Sequence, residues 1–268
     1  MTFADKLRKA WTSSNSMLCV GLDPDLKRVP EVLRNHAQPL FAFNKAIIDA
    51  TAPYACAYKP QFAHYAAEDR LDELKATLEY LRTAYPEKVT ILDAKRGDIG
   101  NTAVRYAKEA FHVYGADSLT VNPYMGGDTI APFSSDASNG VFVLCRTSNP
   151  GSGELQSLEV AGRPLYEIVA ERAAKAWNDN RNLGLVLGAT YPKELARVRS
   201  VAPDLPFLVP GIGAQGGDLE AVLEHGRDAT GYGMLINSSR GIIYAGEGEG
   251  FAAASAAAAR ELAEATGI

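Results

Sequence analysis

"VTILDAKRGDIGNT", residues 89–102, opens as an apolar run and closes on two aspartates and two basic residues within six positions. A surface loop carries that mixture at little cost. At the end of a buried strand the same charges are expensive to desolvate, so each needs a partner. Side chains alternate along a strand, which places Asp93 and Lys95 on one face with Val89 and Ile91 before them. The neighbouring sequence decides whether the run is a strand. Similar runs recur along the chain: "MLCVGLD", "CAYKPQ", "SLTVNPYM", "GVFVLCRT", "LGLVLGAT", "PFLVPGIG" and "MLINSSRG", making eight candidate strands in all.

Helix-length segments lie between most of them. "LDELKATLEYLRTAY" sets Leu71, Leu74, Leu78 and Leu81 on one helical stripe. "FNKAIIDATAPY", "PLYEIVAERAAKAW" and "PKELARVRSVA" suit amphipathic helices, and the tail "FAAASAAAARELAEA" is rich in alanine, the best helix former. "GGDTIAPFSSDAS", after the fourth strand, is the poorest helix of the set because of Pro132 and its serines. Strands alternating with helices imply right-handed βαβ units and a parallel sheet. The expected fold is α/β, a (β/α)8 TIM barrel forming a single domain over residues 1–268. An open doubly wound sheet uses the same units, but eight evenly spaced repeats favour closure. The longest irregular stretch, "NPGSGELQSLEVAGR" at 149–163, reads as a loop covering substrate and not as a domain boundary.

Composition narrows the function. A net charge of −5 and a pI near 5.5, with no Lys/Arg-rich run, argue against a nucleic-acid partner. Cys19, Cys56 and Cys145 show no CxxC pairing and sit in apolar runs, so buried free thiols in a reducing compartment are expected. The opening "MTFADKLRKAW" lacks an apolar signal core, and no stretch approaches the ~20 apolar residues of a membrane span. A soluble, cytoplasmic protein without a membrane partner is expected.

Barrels of this kind build their sites at the C-terminal ends of the strands. Polar residues collect there: Asp23 on the first strand, Lys59 on the second, Asp93 and Lys95 on the third, and Arg146, Thr147 and Ser148 on the fifth. The seventh runs into Gln215, and the eighth into Ser238, Ser239 and Arg240. Asp93 with Lys95 could be a local ion pair, and Asp98 an ordinary helix N-cap. Lys59, from a different strand, favours a site. Two lysines and two aspartates together are neutral, and flanking carboxylates favour a held ammonium acid over a free base.

A phosphate end follows from "PGIGAQGGD", residues 210–218, where glycines can turn backbone N–H groups toward an anion and a helix is expected to begin at Gly216-Gly217-Asp218. A plain tight turn would explain the glycines alone. Arg240, one strand later, tips the reading toward phosphate. "GIGAQG" also fits G-x-G-x-x-G, but a dinucleotide fold wants that motif after its first strand. Here it follows the seventh, and too little chain remains. The four histidines (His36, His64, His112, His225) have no metal-ligand spacing, and no Ser/His/Asp arrangement stands out. What remains is a small phosphorylated substrate and cationic acid chemistry.

The ordered set "CVGLDPD", "YKPQ", "LDAKRGDIGNT", "VPGIGAQGGD" and "NSSRGI" resembles the orotidine 5′-phosphate decarboxylase family over nearly the whole chain. The aspartate-x-lysine-x-x-aspartate core is shared with sugar-phosphate relatives, whereas the ordered set is more specific. Gly100 stands where the commoner branch has proline, so "DAKRGDIG" looks like the longer bacterial branch. The resemblance implies decarboxylation of orotidine 5′-phosphate to uridine 5′-phosphate with no cofactor and no metal. It implies that Lys95 protonates C6, that Asp93 faces the substrate carboxylate, and that Lys59 links the ribose to the charge network. It further implies a homodimer in which Asp98 and Thr102 reach the neighbouring subunit's site. Asp23 and Thr102 are then ribose contacts, Ser148 a pyrimidine contact, and Gln215 and Arg240 phosphate contacts. Two rivals remain. Mg-dependent sugar-phosphate decarboxylases or aldol-type synthases would use acidic ligands where Lys59 stands. A non-catalytic phosphate-binding barrel would have no need of buried charges costing several kcal/mol each.

Overall fold

The computed structural model describes residues 1–212 and 218–267. Eight parallel strands form a closed barrel. They are β1 (Leu18–Leu22), β2 (Ala57–Pro60), β3 (Val89–Arg96), β4 (Ser118–Val121), β5 (Gly140–Arg146), β6 (Leu183–Leu187), β7 (Phe207–Pro210) and β8 (Met234–Ser238). Each pairs with its sequence neighbours, and β8 closes on β1 with Cys19 opposite Asn237. All eight strands expected from the apolar runs are present. The expected helices follow as well: Pro39–Thr51, Leu71–Ala84, Leu165–Lys175, Pro192–Val201 and Phe251–Thr266. The poorest of the set forms over Gly127–Ser134, ending two residues past Pro132 and well short of residue 138.

Register identifies the lumen. Cys19 lies opposite Ala57 and Gly21 opposite Lys59, while Ala57 pairs with Val89. Alternation then gives the inner face Cys19, Gly21, Ala57, Lys59, Val89, Ile91 and Asp93. Tyr58 belongs to the other face, and its hydroxyl meets Thr51 at 2.9 Å in the surrounding helical layer. Apolar residues fill the lumen from below, and the charges begin only where the strands end. Val89 and Ile91 are fully buried beneath Asp93.

The helix Phe3–Ser14, outside the strand-helix count, closes the N-terminal end of the barrel. Thr2 and Asp5 form its capping box. Phe3 meets Phe142 edge to face at 6.0 Å, in the space a side chain on Gly140 would need. Trp11 Nε1 donates to the Met234 carbonyl at 2.8 Å, and Lys6 pairs with Asp117 at 2.6 Å, just before β4. With that end plugged, the opposite mouth is where the lumen opens.

Residues 149–163 are not structureless. They hold a turn of 3-10 helix at Pro150–Ser152, a short helix at Gly153–Gln156, and the first part of a hairpin pairing Glu159–Val160 with Arg163–Pro164. Buried Arg146 organises the segment. It pairs with Glu194, donates to Ser152 and to the Thr147 carbonyl, and stacks on Tyr191 at 3.9 Å. The three cysteines are buried and free.

Candidate active site

At the mouth, β1, β2 and β3 bring four charges into a line. Lys59 Nζ lies 2.8 Å from Asp93 Oδ2 and 3.8 Å from Asp23 Oδ1. Lys95 Nζ lies 2.7 Å from Asp93 Oδ1. The order Asp23, Lys59, Asp93, Lys95 alternates in sign and sums to zero. Within one chain, Asp23 is therefore the second carboxylate beside Lys59, while Asp98, expected to complete the charge set from a neighbouring subunit, is not part of this line.

Burial decides what each charge can do. Lys59 and Asp93 are buried, whereas 46% of the Lys95 side chain is open to solvent. Burial disfavours a charged Asp93, but Lys59 and Lys95 outweigh it and hold the carboxyl well below the usual range. Burial likewise opposes the Lys59 ammonium. Asp23 and Asp93 outweigh that effect and hold it above the ordinary lysine value. Below them, burial pushes the Cys19 thiol up to about 12 against the opposing charge of Lys59, so it stays neutral.

Asp93 is pinned from both sides. Oδ1 accepts from Lys95 Nζ and from Thr120 Oγ1 at 2.8 Å; Oδ2 accepts from Lys59 Nζ and from Gln61 Nε2 at 3.3 Å. Sequence reasoning missed Thr120 and Gln61. The signal for Thr120 was a polar residue in the middle of the apolar run "SLTV", level with Asp93 on the adjoining strand.

Other expected site residues sit around this line. Asp23 Oδ1 is buried with no hydrogen-bond partner among the described residues, so it keeps acceptor capacity at the mouth. Ser148 follows β5, and its backbone packs on Gly188. A Cβ there would come within 2.9 Å of the Ser148 nitrogen, so the close approach needs glycine. Gln156 holds the preceding residue, accepting from Thr147 N at 2.8 Å. Arg240 is exposed at the start of the short helix Arg240–Ile243, with no ion pair among the described residues. Gln215 lies outside the described residues, as do Gly216 and Gly217 of the expected helix start. The described helix runs Leu219–Gly226, with Asp218 as its N-cap.

Asp98 and Thr102 stand apart from the line. No ion pair among the described residues joins Asp98 to Lys59 or Lys95. Its Oδ1 accepts from the adjacent Ile99 N at 2.8 Å. Nor is Asp98 the helix cap, since the helix Gly100–Lys108 is preceded by Ile99 in that position. Thr102 is exposed on the first turn. Around them the surface is apolar: Ile99, Val104, Tyr124 and Met125 are all exposed. A Cβ on Gly97 would lie 3.5 Å from the Met125 methyl, which places Met125 beside this turn.

Known proteins resemble this chain in sequence and in fold. A family model described as Orotidine 5'-phosphate decarboxylase / HUMPS family matches residues 16–255. The orotidine 5'-phosphate decarboxylase of Ralstonia pickettii is 52% identical over 266 residues, 99% of this chain and 97% of that protein. The chain is also similar to the structure of Leishmania donovani OMP decarboxylase, with a TM-score of 0.86, 44% identity, and coverage of 98% of this chain and 96% of that one. Leishmania donovani UMP synthase gives a TM-score of 0.88 at 46% identity over 98% of this chain, which spans 55% of that longer chain.

Proposed function

The chain belongs to the Orotidine 5'-phosphate decarboxylase / HUMPS family, and on that premise we propose that it converts orotidine 5′-phosphate to uridine 5′-phosphate and carbon dioxide. The observation that carries this reading is the neutral line Asp23–Lys59–Asp93–Lys95 at the barrel mouth, with only Lys95 substantially exposed. The reaction serves the biosynthesis of uridine 5′-phosphate, and no cofactor takes part.

Cleavage of the bond between C6 and the carboxylate releases CO2 and leaves the bonding pair on C6. A fixed ammonium beside that carbon stabilises the charge as it develops. Lys95 supplies that ammonium, transfers one proton to C6, and regains a proton from solvent. Asp93 faces the substrate carboxylate and holds the two lysines on either side of it. Lys59 and Asp23 meet the ribose, Ser148 the pyrimidine, and Gln215 with Arg240 the phosphate.

Asp98 and Thr102 act in the site of a second copy, making the enzyme a homodimer with shared sites. The apolar surface of Ile99, Val104, Tyr124 and Met125 around them supports this arrangement. The protein works in the cytoplasm as one barrel domain, in keeping with the finding that no helix among the described residues is long and apolar enough to cross a membrane.

Lys59 separates this reading from the metal-dependent one. Its ammonium stands between two carboxylates and repels a divalent cation. The test is to add orotidine 5′-phosphate and follow the loss of its ultraviolet absorbance, with and without exhaustive EDTA treatment. Equal rates are expected. Loss on chelation with rescue by Mg²⁺ would transfer the assignment to the sugar-phosphate enzymes. Phosphate-ligand binding without turnover would leave a non-catalytic barrel.

A further inference from the structure

Thr120 is the third residue of β4 and is 1% exposed, so it cannot touch a substrate. The pairing of β3 with β4 breaks beside it. Ile91 faces Ser118 and Leu92 faces Leu119, but the next paired residues are Arg96 and Val121. Asp93, Ala94 and Lys95 are thus looped out of regular register opposite this one threonine. Within that bulge Lys95 has φ of +46°, the left-handed region, which strains a non-glycine residue. Such a conformation persists only where its surroundings enforce it.

Thr120 supplies part of that enforcement. Its Oγ1 accepts from the Lys95 backbone N at 2.9 Å, taking up an N–H that the bulge removes from the strand ladder. The same hydroxyl donates its proton to Asp93 Oδ1 at 2.8 Å. That carboxylate oxygen is also the one that holds Lys95 Nζ, at 2.7 Å. One atom therefore fixes the main chain from which the Lys95 side chain starts and the carboxylate on which it ends. The role needs a group that accepts and donates at a single point, and a hydroxyl does both. Valine has the same shape and does neither.

We propose that Thr120 is a positioning residue that sets the direction from which Lys95 delivers its proton. The inference rests on the reading of Lys95 as the proton donor. A displacement of about 1 Å at a reacting group can lower a rate about a hundredfold without loss of binding. Thr120→Val should therefore lower kcat by roughly that factor, while the affinity for uridine 5′-phosphate, measured by calorimetry, changes by less than about threefold. Thr120→Ser keeps both hydrogen bonds and should recover kcat to within about tenfold of the parent.

A double-variant comparison separates the proposal from the reading beneath it. In a Lys95→Ala background, Thr120→Val should cause no further loss of residual turnover, because the group it positions is gone. If Lys95→Ala alone keeps the parent's rate, the assignment of Lys95 fails. If Lys95→Ala is inactive but Thr120→Val keeps the parent's kcat, the assignment stands and the positioning role fails. Equal losses in Thr120→Val and Thr120→Ser would also overturn it. If Thr120→Val does not fold, Thr120→Ala removes the hydroxyl without adding bulk and is read the same way. Failure of both to fold would make the hydroxyl a purely structural group and overturn the proposal.

Discussion

Replacing Lys59 by methionine keeps the volume of an unbranched side chain and removes one buried charge from a line that sums to zero. Asp93, 6% exposed, would then keep Lys95, Thr120 and Gln61 as donors, and Asp23 would lose its nearest cation. Breaking a buried ion pair from one side costs about 3–5 kcal/mol, mostly through the charge left behind. Because three of the four donors to Asp93 remain, the lower end applies, at about 3 kcal/mol. At about 2–4 °C per kcal/mol for a chain of this size, Tm should fall by roughly 6–12 °C at pH 7. The pH dependence has a definite sign. The Asp93 carboxyl is held below its ordinary value, so its contribution is full above the unfolded pKa of about 3.9 and is lost as pH falls through the folded-state value. The Lys59 ammonium is held above its ordinary value, so its contribution is full below about 10.4 and is lost as pH rises through the folded-state value. Both are complete at pH 7, and the gap between parent and variant should narrow on acidification. Urea denaturation followed by circular dichroism at pH 7 and at about pH 3, below the ordinary carboxyl value, measures both. Equal midpoints at pH 7, or a gap that widens in acid, would refute the electrostatic account.

Two further outcomes concern the ends of the site. Arg240→Ala should raise KM at least about tenfold and also lower kcat, since binding energy from a remote phosphate helps organise the reacting centre. Steady-state kinetics measure both, and unchanged constants would remove Arg240 from the site. Lys95→Ala and Asp98→Asn should each be nearly inactive alone. After verified subunit exchange, activity should return to roughly a quarter of the parent's, because about half the dimers are mixed and each has one intact site. Two inactive variants that stay inactive after exchange would mean that Asp98 serves its own chain or that this dimer does not form.

Much of the barrel was legible in the sequence because its determinants are local. Each strand announces itself as a short apolar run, each helix as a stripe or an alanine-rich segment, and alternation alone puts Asp93 and Lys95 above Val89 and Ile91. The strand ends told where polar residues would gather, and Lys59 was found because it ends a different strand. The segment 149–163 was recognised as unusual, but its 3-10 turn and short helix are held through Ser152 and Gln156 by Arg146, which also reaches across to Glu194.

The tertiary structure alone decided which of these residues meet. Asp23 stands beside Lys59 because the pairing of β1 with β2 sets Gly21 opposite Lys59, a register that no local pattern encodes. Asp98, five residues beyond Asp93, is left outside the line because the strand ends before it and the turn carries it to the surface. Thr120 reaches Asp93 and Lys95 because β3 bulges against β4, a mismatch visible only when both strands are in place. Phe3 plugs the barrel floor through a contact 139 positions away in sequence, with Phe142. Apolar periodicity is a property of neighbouring residues and can be read one segment at a time. Register, bulges and charge pairing are properties of strands brought together, and they exist only once the sheet has closed.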